Sequence, residues 1–223
     1  MPPGRRRSAS DRFVNPLPAL PDRGAAPLPR RLLLSLLLAG AGGAALAAAG
    51  APAGLPLKAG VFEPPRQAPE FALRGSDGTE VSLARFRGKV VLMAFGFANC
   101  AAVCPVTLGT LAEARRSLGP AADRVQVVFV TVDPERDDAA ELKAYLAAFD
   151  ASFVGVTGAP AALAAMRRDY GVTARRQGTG NGYVMDHSSS IYLIDRAGKL
   201  RAQMPYGHAP GDFVHDVRLL LAS

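Results

Sequence analysis

The chain has 223 residues, a formal net charge of +7, 49% hydrophobic residues and only two cysteines. Two cysteines cannot form a multi-bridge framework, so the sequence excludes a small disulfide-stapled domain. Residues 1–31 hold seven arginines and two aspartates, so most of the positive charge belongs to this basic tail, and the rest of the chain is nearly neutral. A nearly neutral globular part without a basic stripe excludes nucleic-acid binding.

An apolar stretch follows the basic tail. Residues 32–50 carry no charge, and at about 1.5 Å per residue such a helix spans roughly 28 Å, close to the hydrocarbon thickness of a bilayer. We expect a transmembrane anchor there, or a signal segment cleaved after residues 47–49, and we favour the anchor. Because basic flanks stay in the cytoplasm, the tail is expected there and everything after the anchor on the exported side.

The rest of the chain predicts a linker and one domain. The prolines and glycines of residues 51–67 predict a linker leaving the membrane, and residues 68–223 have an ordinary domain size. The predicted elements are strands at 71–73 and 81–83 around a turn at 76–78, a strand at 89–97, a helix at 103–118, a strand at 125–132, a helix through 142–149 capped by Asp137 or Asp138, a strand at 153–156, a helix at 160–170, strands at 191–194 and 200–205, and a helix at 210–221. This order predicts an α/β fold with a mixed central sheet flanked by helices.

The two cysteines, Cys100 and Cys104, lie where the apolar strand at 89–97 meets the next helix. Side chains four residues apart share one face of a helical turn, so the thiols can hold one soft metal ion, or close a disulfide if the turn is distorted. A dithiol that opens the helix after a buried strand is the arrangement of the thioredoxin fold. The usual redox dithiol of that fold has two intervening residues, whereas the three here open the pair enough to clasp a metal.

A histidine stands where the thioredoxin-type oxidoreductases have a proline. Those enzymes carry a cis-proline before the strand that faces the dithiol, but the matching segment, residues 183–190, has no proline and offers His187. Two thiolates and an imidazole suit Cu(I) and tolerate Cu(II), and three protein ligands leave a position through which copper can be passed on. A structural zinc site normally has a fourth protein ligand, and none is evident, because His208 and His215 are expected on an exposed turn and helix face.

Three further residues are predicted around the metal. Met185, two residues before His187, is a candidate soft ligand. Asp133 ends a strand at the sheet edge that carries the dithiol, where it either tunes the thiols, meets a partner, or only caps the next helix. Asp186 either orients His187 by accepting its hydrogen bond or is an ordinary loop residue. The glycine-rich stretch 175–182 follows no predicted strand and opens no helix, so we interpret it as a surface hairpin or flap near the site.

Four sequence motifs occur in one order along the chain. They are Phe95-Gly96-Phe97-Ala98-Asn99-Cys100 with Cys104-Pro105, Val132-Asp133-Pro134-Glu135-Arg136-Asp137, Asp186-His187-Ser188, and Ile191-Tyr192-Leu193-Ile194-Asp195 with Gly198. This combination resembles the Sco (SenC) family of copper-binding, membrane-anchored, thioredoxin-like proteins that serve the assembly of cytochrome c oxidase. The resemblance covers residues 61–223 and places the family's copper ligands on Cys100, Cys104 and His187. Two alanines follow Cys100 where the family usually has proline and a polar residue, and Phe97 stands where tyrosine is frequent, but neither departure removes a ligand.

The resemblance implies a metallochaperone that binds one copper, as Cu(I) or Cu(II), and delivers it to the dinuclear copper centre in subunit II of cytochrome c oxidase. The alternative is a membrane-anchored thiol–disulfide oxidoreductase that reduces the cysteines of that centre through a Cys100–Cys104 redox disulfide. Other periplasmic copper carriers or thiol reductants are further expected partners. A peroxiredoxin-like peroxidase is disfavoured, because neither cysteine follows a Thr or Ser by three residues, and no catalytic residue is assigned. The expected location is the bacterial inner membrane, crossed once, with residues 68–223 in the periplasm.

Overall fold

Ten strands and four helices make up residues 56–223, the part of the chain that the computed structural model describes. The strands are β1 (Gly60–Gln67), β2 (Ala72–Gly75), β3 (Glu80–Ser82), β4 (Val90–Gly96), β5 (Val125–Thr131), β6 (Val154–Thr157), β7 (Ala174–Gln177), β8 (Val184–His187), β9 (Ile191–Ile194) and β10 (Lys199–Met204). The helices are α1 (Val103–Ser117), α2 (Ala139–Ala147), α3 (Pro160–Tyr170) and α4 (Pro210–Ala222). The predicted tail and the anchor or signal segment lie outside the described residues, and none of the helices described is long and apolar enough to cross a membrane.

Eight of the strands form one mixed sheet in the order β1-β10-β9-β4-β5-β6-β2-β3. At its centre β4 pairs in parallel with β5 and antiparallel with β9, and β5 pairs in parallel with β6. The remaining strands, β7 and β8, pair antiparallel with each other as a separate two-stranded ribbon. The predicted α/β class and the mixed central sheet flanked by helices are confirmed.

The central strands are apolar throughout because helices cover both faces of the sheet. Alternate residues of β4 point to opposite faces. Val90, Leu92 and Ala94 belong to the core that contains the buried side chains of α1, α2 and α4. The intervening residues of β4 belong to the second core, which contains those of α3. The dithiol therefore follows a strand that is buried on both faces.

The ends of the helices follow local chemistry. Asp138, one of the two predicted caps, accepts a hydrogen bond from the backbone N–H of Glu141 at 2.8 Å and begins α2. The α3 helix ends at Gly171, whose positive φ of 71° gives the left-handed conformation that glycine adopts without strain. Both boundaries agree with the predictions from sequence.

The structure differs from the sequence-based prediction at the start of the domain. Residues 60–67, predicted as part of a linker, form β1, which pairs with β10 at the edge of the main sheet. Proline is tolerated there because an edge strand needs partners on one side only. The pairing shifts register between Val61 and Arg66, the interval that contains the two prolines. The proline content therefore marked an irregular edge strand rather than a free linker.

Candidate metal centre

The loop between β4 and α1 presents the two thiols. Cys100 lies in this loop and is partly exposed, whereas Cys104 lies in the first turn of α1 and is only 3% exposed. Both are free thiols. Gly96, at the end of β4, makes room for the buried sulfur, since a Cβ there would lie 2.7 Å from Cys104 Sγ. A larger residue at this position would push against the sulfur itself.

The start of α1 stabilises the thiolate of Cys100. The first N–H groups of a helix have no partner within the helix, and Ala102, at the N-cap position, has no side chain that can accept from them. Burial alone would raise the pKa of Cys100, but hydrogen bonds from the backbone N–H groups of Cys104, Ala102 and Val103, together with the Cys104 thiol, hold that pKa below its ordinary value. The sulfur thus takes the place of a capping oxygen.

The second thiol has the opposite tendency. Burial raises the pKa of Cys104 to about 12, and the negative charge of Cys100 adds to this effect, although the backbone N–H of Phe97 opposes it. Cys100 is therefore the thiol that ionises first. A metal held by both sulfurs would have to displace the proton of Cys104.

These pKa values predict that an alkylating reagent distinguishes the two thiols. The thiolate fraction of Cys104 near neutral pH is smaller by roughly three powers of ten, and its higher intrinsic nucleophilicity recovers only part of this, so Cys100 should react at least about thirtyfold faster. Iodoacetamide labelling of the reduced, metal-free protein followed by mass spectrometry measures both rates. Cys100→Ser is the control, and its remaining thiol should resist labelling. Equal rates would contradict this order of ionisation.

The β7–β8 ribbon brings His187 to the dithiol. Along β8 the side chains alternate, so Met185 and His187 face the body of the protein while Val184 and Asp186 are exposed. The Nδ1 atom of His187 lies 2.8 Å from the carbonyl oxygen of Ser188. Because a carbonyl can only accept, Nδ1 donates its proton and Nε2 keeps its lone pair in the neutral ring. That Nε2 lies 3.9 Å from Cys104 Sγ.

The separation of these two atoms suits one metal ion. Metal–sulfur and metal–nitrogen bonds, taken from zinc sites, are about 2.3 and 2.0 Å, and their sum exceeds 3.9 Å. A cavity of about 10 Å³ lies there, lined by Cys104, His187, Thr107 and Phe129 among others. Among residues 56–223 no three Cys, His, Asp or Glu side chains are already grouped as for a bound metal. Cys104 is thus the central member of the set, since it contacts His187 and is hydrogen-bonded to Cys100.

The other predicted neighbours of the metal have different positions. Asp186 is on the exposed face of β8, and the Ser188 carbonyl occupies the acceptor role considered for it. Met185 shares the inward face with His187 but lines a separate cavity of about 170 Å³ beside Asp133. The structure brings Met185 near the site without bringing it into the space between Cys104 and His187.

Asp133 lies beside the site and is buried. Its side chain, 3% exposed, accepts hydrogen bonds from the hydroxyl of Tyr183 at 2.6 Å and from Nε of Arg136. Its hydrogen-bond partners are therefore groups next to the β7–β8 ribbon, and none of them is a thiol. Asp133 thus contacts the residue that precedes the strand carrying His187, and no local sequence pattern predicts this contact.

Asp137 has a role in the site that the sequence does not predict, since its position indicates only a possible helix cap. It is 1% exposed, and its carboxylate accepts from the backbone N–H of Ala98 at 3.0 Å and from the hydroxyl of Thr131 at 2.6 Å. These bonds tie the loop before Cys100 to the end of β5. Burial raises the pKa of Asp137 against the lowering effect of both bonds, and its charge in turn raises the pKa of Cys104. The helix cap is the neighbouring Asp138. Because either aspartate could be the cap, the sequence alone did not indicate a separate role for Asp137.

Known proteins share this fold and about a third of the aligned residues. The SCO1/SenC family model matches residues 62–222. The mouse protein SCO2 homolog, mitochondrial, is 35% identical over 158 residues, which are 69% of this chain and 62% of the mouse protein. The chain therefore spans less than two thirds of this curated relative.

Two solved structures are similar and contain copper. ScoI of Bradyrhizobium japonicum with copper bound is 36% identical, with a TM-score of 0.65, over 70% of this chain and 99% of that chain. Yeast Sco1 with copper bound is 29% identical, with a TM-score of 0.65, over 71% of this chain and 90% of that chain. Copper in these relatives agrees with the metal predicted from the donor set. Since the family model covers nearly all of the described domain, this chain belongs to the SCO1/SenC family.

Proposed function

We propose that this chain is a copper metallochaperone that binds one copper ion through Cys100, Cys104 and His187. It delivers the ion to the dinuclear copper centre in subunit II of cytochrome c oxidase during assembly. The observation that carries the proposal is the position of the imidazole, whose Nδ1 contacts the Ser188 carbonyl and whose Nε2 lies 3.9 Å from Cys104 Sγ. Family membership and the relatives solved with copper support the choice of metal.

The two thiols have complementary parts in this function. Cys100, partly exposed and with a lowered pKa, is the thiolate that meets incoming copper first. Cys104 binds only after it loses a proton that burial makes hard to remove. The same high proton affinity weakens its hold on copper at neutral pH. The dithiol is therefore suited to take up copper and also to give it up.

Release needs a position that a partner can reach. Three protein donors leave the copper one or more open positions, which a thiolate or imidazole of the receiving protein can occupy. The bond between copper and Cys100 then breaks most readily. Cys100 is the more exposed of the two cysteines, and the N–H groups of α1 stabilise the thiolate that departs. Copper can therefore pass to the receiving protein by exchange of one ligand at a time, and it stays bound to a protein ligand throughout.

Residues 32–50 complete the proposed arrangement as a single membrane anchor. They would hold the domain at the periplasmic face of a bacterial inner membrane, next to the oxidase and to periplasmic copper carriers or thiol reductants. The support is the apolar, uncharged stretch behind a tail with seven arginines.

A second candidate function is reduction of the disulfide in the oxidase copper site. It is favoured by the asymmetry of the dithiol, because a partly exposed thiol of lowered pKa and a buried thiol of raised pKa form the pair that attacks and then resolves a mixed disulfide. The two functions differ in what leaves the protein. A chaperone transfers copper, whereas a reductase transfers two electrons and becomes the Cys100–Cys104 disulfide.

One experiment separates the two candidates. The copper-loaded chain is mixed with the soluble domain of oxidase subunit II, prepared with its copper-site cysteines either reduced or as a disulfide. A chaperone should transfer copper to the reduced domain faster than does a small-molecule chelator that binds copper with equal affinity. If copper stays on the chain while the metal-free chain reduces the oxidised domain, the reductase function replaces the chaperone function.

A further inference from the structure

The β7–β8 ribbon, which carries His187, is separate from the main sheet. Among the described residues, β7 and β8 pair only with each other, so no strand-to-strand hydrogen bonds fix the ribbon against the eight-stranded sheet. The base of the ribbon is closed by Ser188, whose N–H donates to the carbonyl of Thr173 at 3.0 Å. Beyond this closure at its base, the ribbon is held against the rest of the protein by side-chain contacts.

Tyr183, immediately before β8, is fastened to the loop that follows β5. Its buried hydroxyl donates to Asp133 Oδ1 at 2.6 Å. Its backbone carbonyl accepts from Nη1 of Arg136 at 3.1 Å, and Arg136 also donates from Nε to the second carboxylate oxygen of Asp133. One residue is thus held through its side chain and its backbone by two partners that are themselves paired.

Guanidinium groups cover the ring of Tyr183. The guanidinium carbon of Arg136 lies 3.7 Å from the ring centroid and that of Arg176 lies 3.6 Å from it. Two groups this close to one centroid must occupy opposite faces of the ring. Arg176, in β7, also donates to Glu135 at 3.0 Å. Both strands of the ribbon are therefore tied to the same loop, residues 133–136.

Phe97 lies between Arg136 and His187 and contacts both. The guanidinium carbon of Arg136 lies 5.8 Å from the ring centroid of Phe97. The ring of Phe97 meets the imidazole of His187 edge to face, with 5.8 Å between centroids and 82° between planes. The imidazole is thus bounded by a buried aromatic ring and by a strand whose start is fixed at Tyr183.

We propose that Tyr183, held by Asp133 and Arg136, is a positioning residue that keeps His187 within reach of the metal. We call these three residues the Tyr183 clamp. The inference rests on the proposed function, since it takes His187 as a ligand. With the clamp intact, three donors are available to Cu(II). With the clamp loosened, the ribbon swings away and two thiolates remain, a set that suffices for Cu(I) but not for Cu(II).

Tyr183→Phe tests the clamp by removing one hydroxyl. The matched control is Tyr170→Phe, because the hydroxyl of Tyr170 also donates at 2.8 Å to an oxygen, the carbonyl of Pro69, away from the ribbon. In the full chain, Tyr183→Phe should weaken Cu(II) binding about tenfold and change Cu(I) binding less than about twofold. Chelator competition measures both affinities. No loss of Cu(II) affinity in Tyr183→Phe, or an equal loss in Tyr170→Phe, overturns the proposal.

Hydrogen exchange tests the clamp without copper. In the metal-free protein, the amides of residues 174–187 should exchange about tenfold faster in Tyr183→Phe than in the unchanged chain. The same amides should be unaffected by Tyr170→Phe. Unchanged protection of the ribbon in Tyr183→Phe would show that the hydroxyl does not hold it, and would overturn the proposal.

A double variant separates the clamp from the proposed ligand set. If Tyr183 acts through His187, adding Tyr183→Phe to His187→Ala should cause no further loss of Cu(II) affinity. A further tenfold loss would mean that Tyr183 acts by another route, which overturns the clamp and leaves His187 as a ligand. If His187→Ala alone leaves Cu(II) affinity unchanged, the ligand set of the proposed function is wrong, and the clamp is overturned with it.

Discussion

Replacement of Cys104 by serine should reduce Cu(I) affinity by at least about a hundredfold. Four-ligand zinc sites are worth about 10–16 kcal/mol, or roughly 2.5–4 kcal/mol per ligand, and Cu(I) loses here one of only two soft donors. Cys100→Ser should have a similar effect. Competition with a Cu(I) chelator on the reduced full-length chain measures the loss, and circular dichroism verifies that each variant is folded.

Oxidation gives a control for this prediction without any substitution. Because a thiolate is the ligand, the Cys100–Cys104 disulfide should bind Cu(I) as weakly as the serine variants, and reduction should restore full affinity. An oxidised protein that bound Cu(I) as tightly as the reduced one would show that the sulfurs are not the ligands.

His187→Ala should separate the two oxidation states of copper. Cu(II) prefers more donors and a nitrogen among them, so its affinity should fall by about a hundredfold, and the thiolate-to-copper absorption should be lost or shifted. Two thiolates satisfy Cu(I), whose affinity should fall less than about tenfold. Thiol–disulfide exchange should persist, since it depends on the sulfurs. Titration with each oxidation state, followed by absorption spectroscopy, measures the difference.

The chain offers two matched controls for that substitution. In the C-terminal turn and helix, Nδ1 of His208 lies 3.1 Å from a carboxylate oxygen of Asp212, and Nδ1 of His215 lies 2.9 Å from one of Asp216. Replacing either histidine by alanine should leave the Cu(II) spectrum unchanged. If His187→Ala also left it unchanged, His187 would not be a ligand, and Met185 would be the next candidate for the third ligand.

The sequence predicted those parts of the fold that depend on local patterns. The apolar run at 89–97 became β4 because both faces of that strand are buried. The helix predicted at 103–118 correctly placed Cys104 in the first turn of α1, but Cys100 lies in the loop before that helix, so the two thiols do not share a helical turn as the fourfold spacing predicted. The sequence indicated the ribbon only as a surface hairpin or flap without defined strands, because Ala174–Gln177 is short and three of its four residues are exposed. Its exposed polar residues carry no hydrophobic alternation by which a strand could be predicted.

The sequence did not reveal the contacts that position the metal donors. The hydroxyl of Tyr183 meets Asp133 across 50 positions of the chain, and the backbone N–H of Ala98 meets Asp137 across 39. Such pairs depend on how β5 and the ribbon pack, which no local pattern encodes. The acceptor for His187 was missed for a different reason. It is the backbone carbonyl of Ser188, which has no residue type to recognise.

The proposed ligand set can be read out by X-ray absorption of the 223-residue chain, with its thiols reduced and one equivalent of copper bound. We expect one copper per chain, two sulfur scatterers and, in the Cu(II) form, one imidazole nitrogen that is lost in His187→Ala. A copper-to-protein ratio near zero, or a shell of oxygen and nitrogen scatterers alone, would contradict the claim that Cys100, Cys104 and His187 hold the metal.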